Sequence, residues 1–74
     1  MKIRKEIMDF AEIMEKVMRI HDSEKGDSWK NCDIKFLENK FDEECKEYIM
    51  SENPNELIDI ANICMMLFHR YDIA

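Results

Sequence analysis

Apolar residues at Ile3, Ile7, Phe10, Met14, Val17 and Met18 recur at three- and four-residue steps. That spacing predicts a first helix from Ile3 to His21 with a single apolar stripe. The opposite face carries Lys5, Asp9, Glu12, Lys16 and Arg19, a solvated surface, so the stripe reads as core. A second stripe, Ile34, Leu37, Phe41, Cys45 and Tyr48, predicts a helix that starts at Asp33 as N-cap and runs to about Met50. A third helix, from Pro54 to about Tyr71, is apolar around most of its circumference, with a narrow polar strip of Asp59, Asn62 and Arg70. A helix of that kind is buried on several sides. In so short a chain, burial on several sides calls for a second subunit, and a homodimer or homotetramer is expected.

Between the first two helices lies a polar connection, His21 to Cys32, with the only Gly (Gly26) and the only Trp (Trp29) of the sequence. Between the last two, Ser51-Glu52-Asn53-Pro54 reads as a tight stop and restart of helix. Period-2 alternation flanked by turns is missing throughout. The expected class is all-α, one helical domain over residues 1–74, in a bundle shared with partner subunits.

Composition sharpens this picture. Seventy-four residues lie near the lower limit for a self-sufficient core, where disulfides, a metal or oligomerisation supply the difference. Three cysteines, Cys32, Cys45 and Cys64, have no CxxC or Cys/His spacing. Cys45 and Cys64 fall on apolar helical positions, as buried small hydrophobes do. A disulfide framework and a zinc site are therefore disfavoured, and a reducing cytoplasm is expected. The amino-terminal segment has no signal-peptide middle and no run reaches membrane-spanning length, so no membrane partner is expected. A net charge of −6 argues against binding a nucleic-acid polymer by its backbone. A free phosphorylated small molecule remains compatible with that charge when a metal offsets it locally.

The acidic residues that bear on chemistry cluster around the second turn. Glu44 with Glu47, and Glu56 with Asp59, are each spaced i, i+3 and so share a helix face. If the two helices fold back antiparallel, residues equidistant from the turn meet: Glu44 with Asp59, Glu47 with Glu56. Four converging carboxylates raise one another's pKa unless a cation sits between them, and an all-oxygen set suits Mg²⁺. The plainer reading is that Glu56 completes a capping box behind Asn53 and Pro54, with Glu43, Glu44 and Glu47 forming a solvated face. Asp59 and Asn62, in the apolar middle of the third helix, favour the metal reading, because a buried carboxylate needs a partner. Trp29 is either a lid on a local cluster or a stacking platform for a flat ligand. His21 reads as a cation near a helix C-terminus, and Lys40 as the i, i+4 ion-pair partner of Glu44 or a phosphate contact.

HDSEKGDSWK, then EECKE, then ELIDIAN resembles the MazG-like all-α nucleoside triphosphate pyrophosphohydrolases, whose signature is EExxE on one helix and ExxD on the next. The resemblance covers about residues 21–71. It implies a Mg²⁺-dependent enzyme, with Mn²⁺ as a substitute, that cleaves a (deoxy)nucleoside triphosphate to the monophosphate and pyrophosphate, in a nucleotide housecleaning role. At the matching positions Glu44, Glu47, Glu56 and Asp59 would ligate the metal, and Glu43 or Glu44 would orient or deprotonate the attacking water. Trp29 and His21 would contact the base, and Lys40 and Asn62 the sugar or phosphates. The alternative is a non-catalytic helical oligomerisation or nucleotide-binding module on the same fold.

Overall fold

A computed structural model describes residues 1–71, and these are all-helical, with no strand among them. Helix α1 spans Lys5–Asp22, α2 Ile34–Ser51 and α3 Glu56–Tyr71, with one 3-10 turn at Ser28–Lys30. Among the described residues no helix is long and apolar enough to cross a membrane.

The helix ends follow local chemistry. The side chain of Asp33 accepts a hydrogen bond from the Lys35 amide at 2.9 Å, capping α2 at the expected residue. The other end of α2 stops at Glu52, whose left-handed φ of 56° lets its amide donate to the Tyr48 carbonyl at 2.7 Å. Asn53 then caps the restart, its Oδ1 accepting from the Asn55 amide at 3.0 Å. Regular α3 begins at Glu56 rather than Pro54, because Glu56 and Leu57 donate to carbonyls three residues back and the first turn is tight. Helix α1 starts at Lys5 rather than Ile3. Arg4 is extended and its side chain makes no cap, so periodicity alone did not fix that end. In the connection after α1, Gly26 takes φ +51°, a left-handed position that a side chain adopts only under strain.

Helices α2 and α3 fold back on each other and α1 lies against α3. The buried apolar side chains are Leu37, Ile58 and Ile63, a thin core for this length. No residue of α1 is buried, and its stripe is half open, with Ile7 56% and Phe10 40% exposed. The expectation that this stripe is core is not met within one chain. The outward side of α3 is open too: Phe68 is 62% exposed and Cys64, read from the sequence as a buried hydrophobe, is exposed. The reason is the orientation of α3, which turns Asn62, only 4% exposed, inward with Ile58 and Ile63.

Candidate metal centre and cleft

The turn between α2 and α3 brings Glu44, Glu56 and Asp59 together, with one carboxylate oxygen from each lying within 4.8 Å of the others. The pairing of Glu44 with Asp59 about the turn is the register expected from the sequence. Glu56 joins them because its side chain does not close a capping box. The Asn53 amide that such a box would bind donates instead to Ser51 Oγ at 3.2 Å. Glu47 stands outside the three, exposed, and near enough for its charge to act on Glu44.

Glu44 is the pivot of the group. Its side chain is 13% exposed, and Oε1 lies 3.8 Å from Lys40 Nζ. The other oxygen, Oε2, is buried without a hydrogen-bond partner. Burial first, then repulsion from Glu47 and Asp59, pushes its carboxyl above the ordinary 4.5, and Lys40 opposes this. Lys40 also lies 4.0 Å from Glu43, which is solvent-exposed. Lys40 is thus an ion-pair partner in the plain sense, set beside the cluster.

The donor set fits a hard divalent cation. Three carboxylates offer only oxygen, one oxygen of Glu44 is orphaned and buried, and the oxygens are gathered within 4.8 Å. Adjacent ligands of an octahedral ion with bonds of about 2.1 Å stand about 3.0 Å apart, so oxygens up to 4.8 Å apart would have to close in around a cation. Among the described residues this is the one His, Cys, Asp or Glu grouping of such closeness.

A cleft of about 300 Å³ runs from the carboxylates to the connection after α1. Glu44, Asp59, Lys40, Asn62, Trp29 and His21 all line it; Glu43, Glu47 and Glu56 are not among its walls. Its other walls are apolar along the helices, from Val17, Phe36 and Met66 among others, and polar at the connection, where Asp22, Lys25 and Ser28 line it. Asn62 Nδ2 donates to the Met14 carbonyl of α1 at 3.3 Å, leaving Oδ1 buried and unpartnered, as is Nε1 of Trp29. Buried polar atoms without partners are uncommon. Here three of them, an indole donor, an amide acceptor and a carboxylate acceptor, belong to the walls of one cleft.

Arg70 was legible only as part of the polar strip of α3, and its role emerges from the fold. Its Nη1 donates to the Trp29 carbonyl at 2.9 Å and lies 3.8 Å from Cys32 Sγ. The last turn of α3 therefore holds the 3-10 turn that carries the indole. His69 adds a tilted ring contact to Trp29 at 6.5 Å. A lone arginine in line with Asp59 and Asn62 on an apolar helix was the available signal.

No protein-family profile matches this chain, and neither a curated protein nor a solved structure does.

Proposed function

We propose that this chain is a Mg²⁺-dependent nucleoside triphosphate pyrophosphohydrolase that works as a homo-oligomer in the cytoplasm. The observation that carries the reading is one cleft lined by carboxylates and an indole, with a buried polar atom left without a partner on each of Glu44, Asn62 and Trp29. Its volume lies at the lower end of small-ligand sites. The EExxE and ExxD resemblance points the same way.

In this reading Glu44, Glu56 and Asp59 would hold the cation, and Glu47, exposed beside them, would be the fourth carboxylate available to it. When bound, the metal offsets phosphate charge and lowers the pKa of a coordinated water. Glu43 or Glu44 orients the water that attacks the α-phosphorus. The bond from that phosphorus to the bridging oxygen breaks, and pyrophosphate leaves. Lys40, 3.8 Å from Glu44 and lining the cleft, would contact the phosphates. Trp29, held by Arg70, stacks on the base beside His21, and Asn62 Oδ1 accepts a hydrogen bond from the sugar or base.

The test is pyrophosphate release from a panel of standard and modified triphosphates with Mg²⁺. Turnover is expected, and Glu44→Ala and Asp59→Ala should each reduce it to background while far-UV circular dichroism stays helical. Activity surviving both substitutions would remove the carboxylates from the reaction. The exposed position of Glu47 favours a second reading, a module that binds nucleotide without turning it over. Thermal stabilisation by Mg²⁺ and a non-hydrolysable analogue, with no pyrophosphate released, would decide for that module.

A further inference from the structure

Asn62 is the one buried polar residue among those described, only 4% exposed, and its amide is half used. Nδ2 donates to the Met14 carbonyl at 3.3 Å. A carbonyl oxygen can only accept, so this contact fixes which way the amide is turned and leaves an acceptor, Oδ1, as its other half. Oδ1 is buried and has no partner. A buried acceptor left unpaired costs at least as much as an ordinary hydrogen bond returns, so its place in the fold calls for a reason.

The surroundings supply one. Met14 belongs to α1, the helix with no buried residue. Val17, Met18 and His21 follow Met14 at the spacing of one helix face, and all three line the cleft, as Asn62 does from α3. The stretch of α1 that Asn62 grips is therefore one wall of the cleft. The amide stands between that wall and the space it encloses, with its donor bound to the wall and its acceptor bound to nothing.

We propose that Asn62 couples occupation of the cleft to closure of α1, and that it does so for a ligand that brings an N–H or O–H donor to Oδ1. Because Oδ1 is buried while α1 is closed, the ligand enters with α1 lifted, and α1 then settles over it. The donor satisfies the acceptor, and hydrogen bonding at Oδ1 polarises the amide so that Nδ2 donates more strongly to Met14. A ligand that presents an alkyl group or another acceptor at that point leaves Oδ1 unpaired and gains nothing from closure. Bound donor and closed helix thus favour each other, and the coupling is reciprocal. The inference rests on the cleft being the ligand site, as in the proposed function, but on neither the cation nor the release of pyrophosphate.

The experiment is amide hydrogen exchange of the full chain, read by mass spectrometry with matched probes. The probes are nucleosides in pairs that differ by one donor: adenosine and purine riboside, cytidine and its dimethylamino form, uridine and its ring N-methyl form, and the ribose and deoxyribose forms of each. Each is used alone and as its α,β-methylene triphosphate with Mg²⁺. In one pair or more, the donor-bearing member should slow exchange across residues 14–21 about tenfold more than its partner, the worth of one well-made hydrogen bond. Asn62→Ala, with its helical circular dichroism retained, should abolish that difference. The pairs test the wild type directly, so a variant that fails to fold does not remove the test. Equal protection within every pair, exchange along α1 that no probe slows, or a donor preference that survives Asn62→Ala would each overturn the coupling. Pyrophosphate release is read separately. Turnover with α1 exchange unmoved overturns the coupling and leaves the enzyme reading standing, whereas donor-dependent protection without turnover does the reverse.

Discussion

The two seams of the molecule are made differently. Where α2 meets α3, Leu37, Ile58 and Ile63 are buried, and the chain reverses through a capped turn of four residues, Glu52 to Asn55. Where α1 meets α3, no α1 residue is buried, and Asn62 to the Met14 carbonyl is the side-chain hydrogen bond that crosses. The carboxylates sit on the first seam, while the cleft opens along the second. The proposed cation site would thus stand on the more firmly packed of the two seams, as a site that must hold its side chains in place requires. Were the cleft to admit the proposed nucleotide, α1, with no buried residue, would be the wall that yields.

The contrast is broken most directly by matched truncations. Leu37→Ala should cost about 3 kcal/mol, in the range for a buried leucine, whereas Ile7→Ala on α1 should cost within about 0.5 kcal/mol. Urea unfolding followed by circular dichroism measures both. Equal losses would mean that α1 is as firmly built in as the hairpin. In an assembled dimer the comparison belongs at one protein concentration, because subunit association adds to apparent stability.

A smaller effect is expected at the crossing bond. Asn62→Ala removes the amide that holds the Met14 carbonyl, at a net cost of about 1 kcal/mol. Amide hydrogen exchange should then speed up along α1 more than along α2 or α3. Unchanged protection of α1 would show that the bond is not what closes that seam.

The smallest effect is electrostatic and depends on pH. The Glu44 carboxyl is raised above its ordinary 4.5, by burial and by its acidic neighbours. Its folded form therefore holds the proton more tightly than the unfolded chain does. The stability this gives is present below pH 4.5 and is lost as pH rises through the raised value. In EDTA the wild type should lose melting temperature relative to Glu44→Gln between pH 4.5 and 7, and Mg²⁺ at pH 7 should restore it for the wild type alone. A difference between the two proteins that stays flat with pH would mean that Glu44 carries no strain in the fold.

What could be read in the sequence was local. Asp33 and Asn53 announce helix starts by a chemistry that acts within three residues, and both caps stand where expected. The meeting of Glu44 with Asp59 followed from a short turn, since a tight reversal leaves little freedom of register. Burial was harder to read. The stripe of α1 has the periodicity of a core face, but periodicity says only that residues share a side, and α1 finds too little partner surface within one chain to cover it. Glu47 shows the same limit. It is one helical turn from Glu44, yet a small rotation of α2 decides whether it points at Glu56 or at solvent. The tie from Arg70 to Trp29 depends on two segments far apart in the chain, and no spacing rule reaches across that distance.

That tie has a consequence for how the chain comes together. It links residues 41 apart, and closing an open loop of that length costs about 3 kcal/mol in chain entropy, before any constant. A hydrogen bond from a charged donor returns about 1.5–3 kcal/mol, so the bond cannot gather the loop by itself. It forms only after α2 and α3 have packed and shortened the path between its ends. The one indole in the sequence is therefore seated after the hairpin beneath it, and its environment reports whether that hairpin is complete.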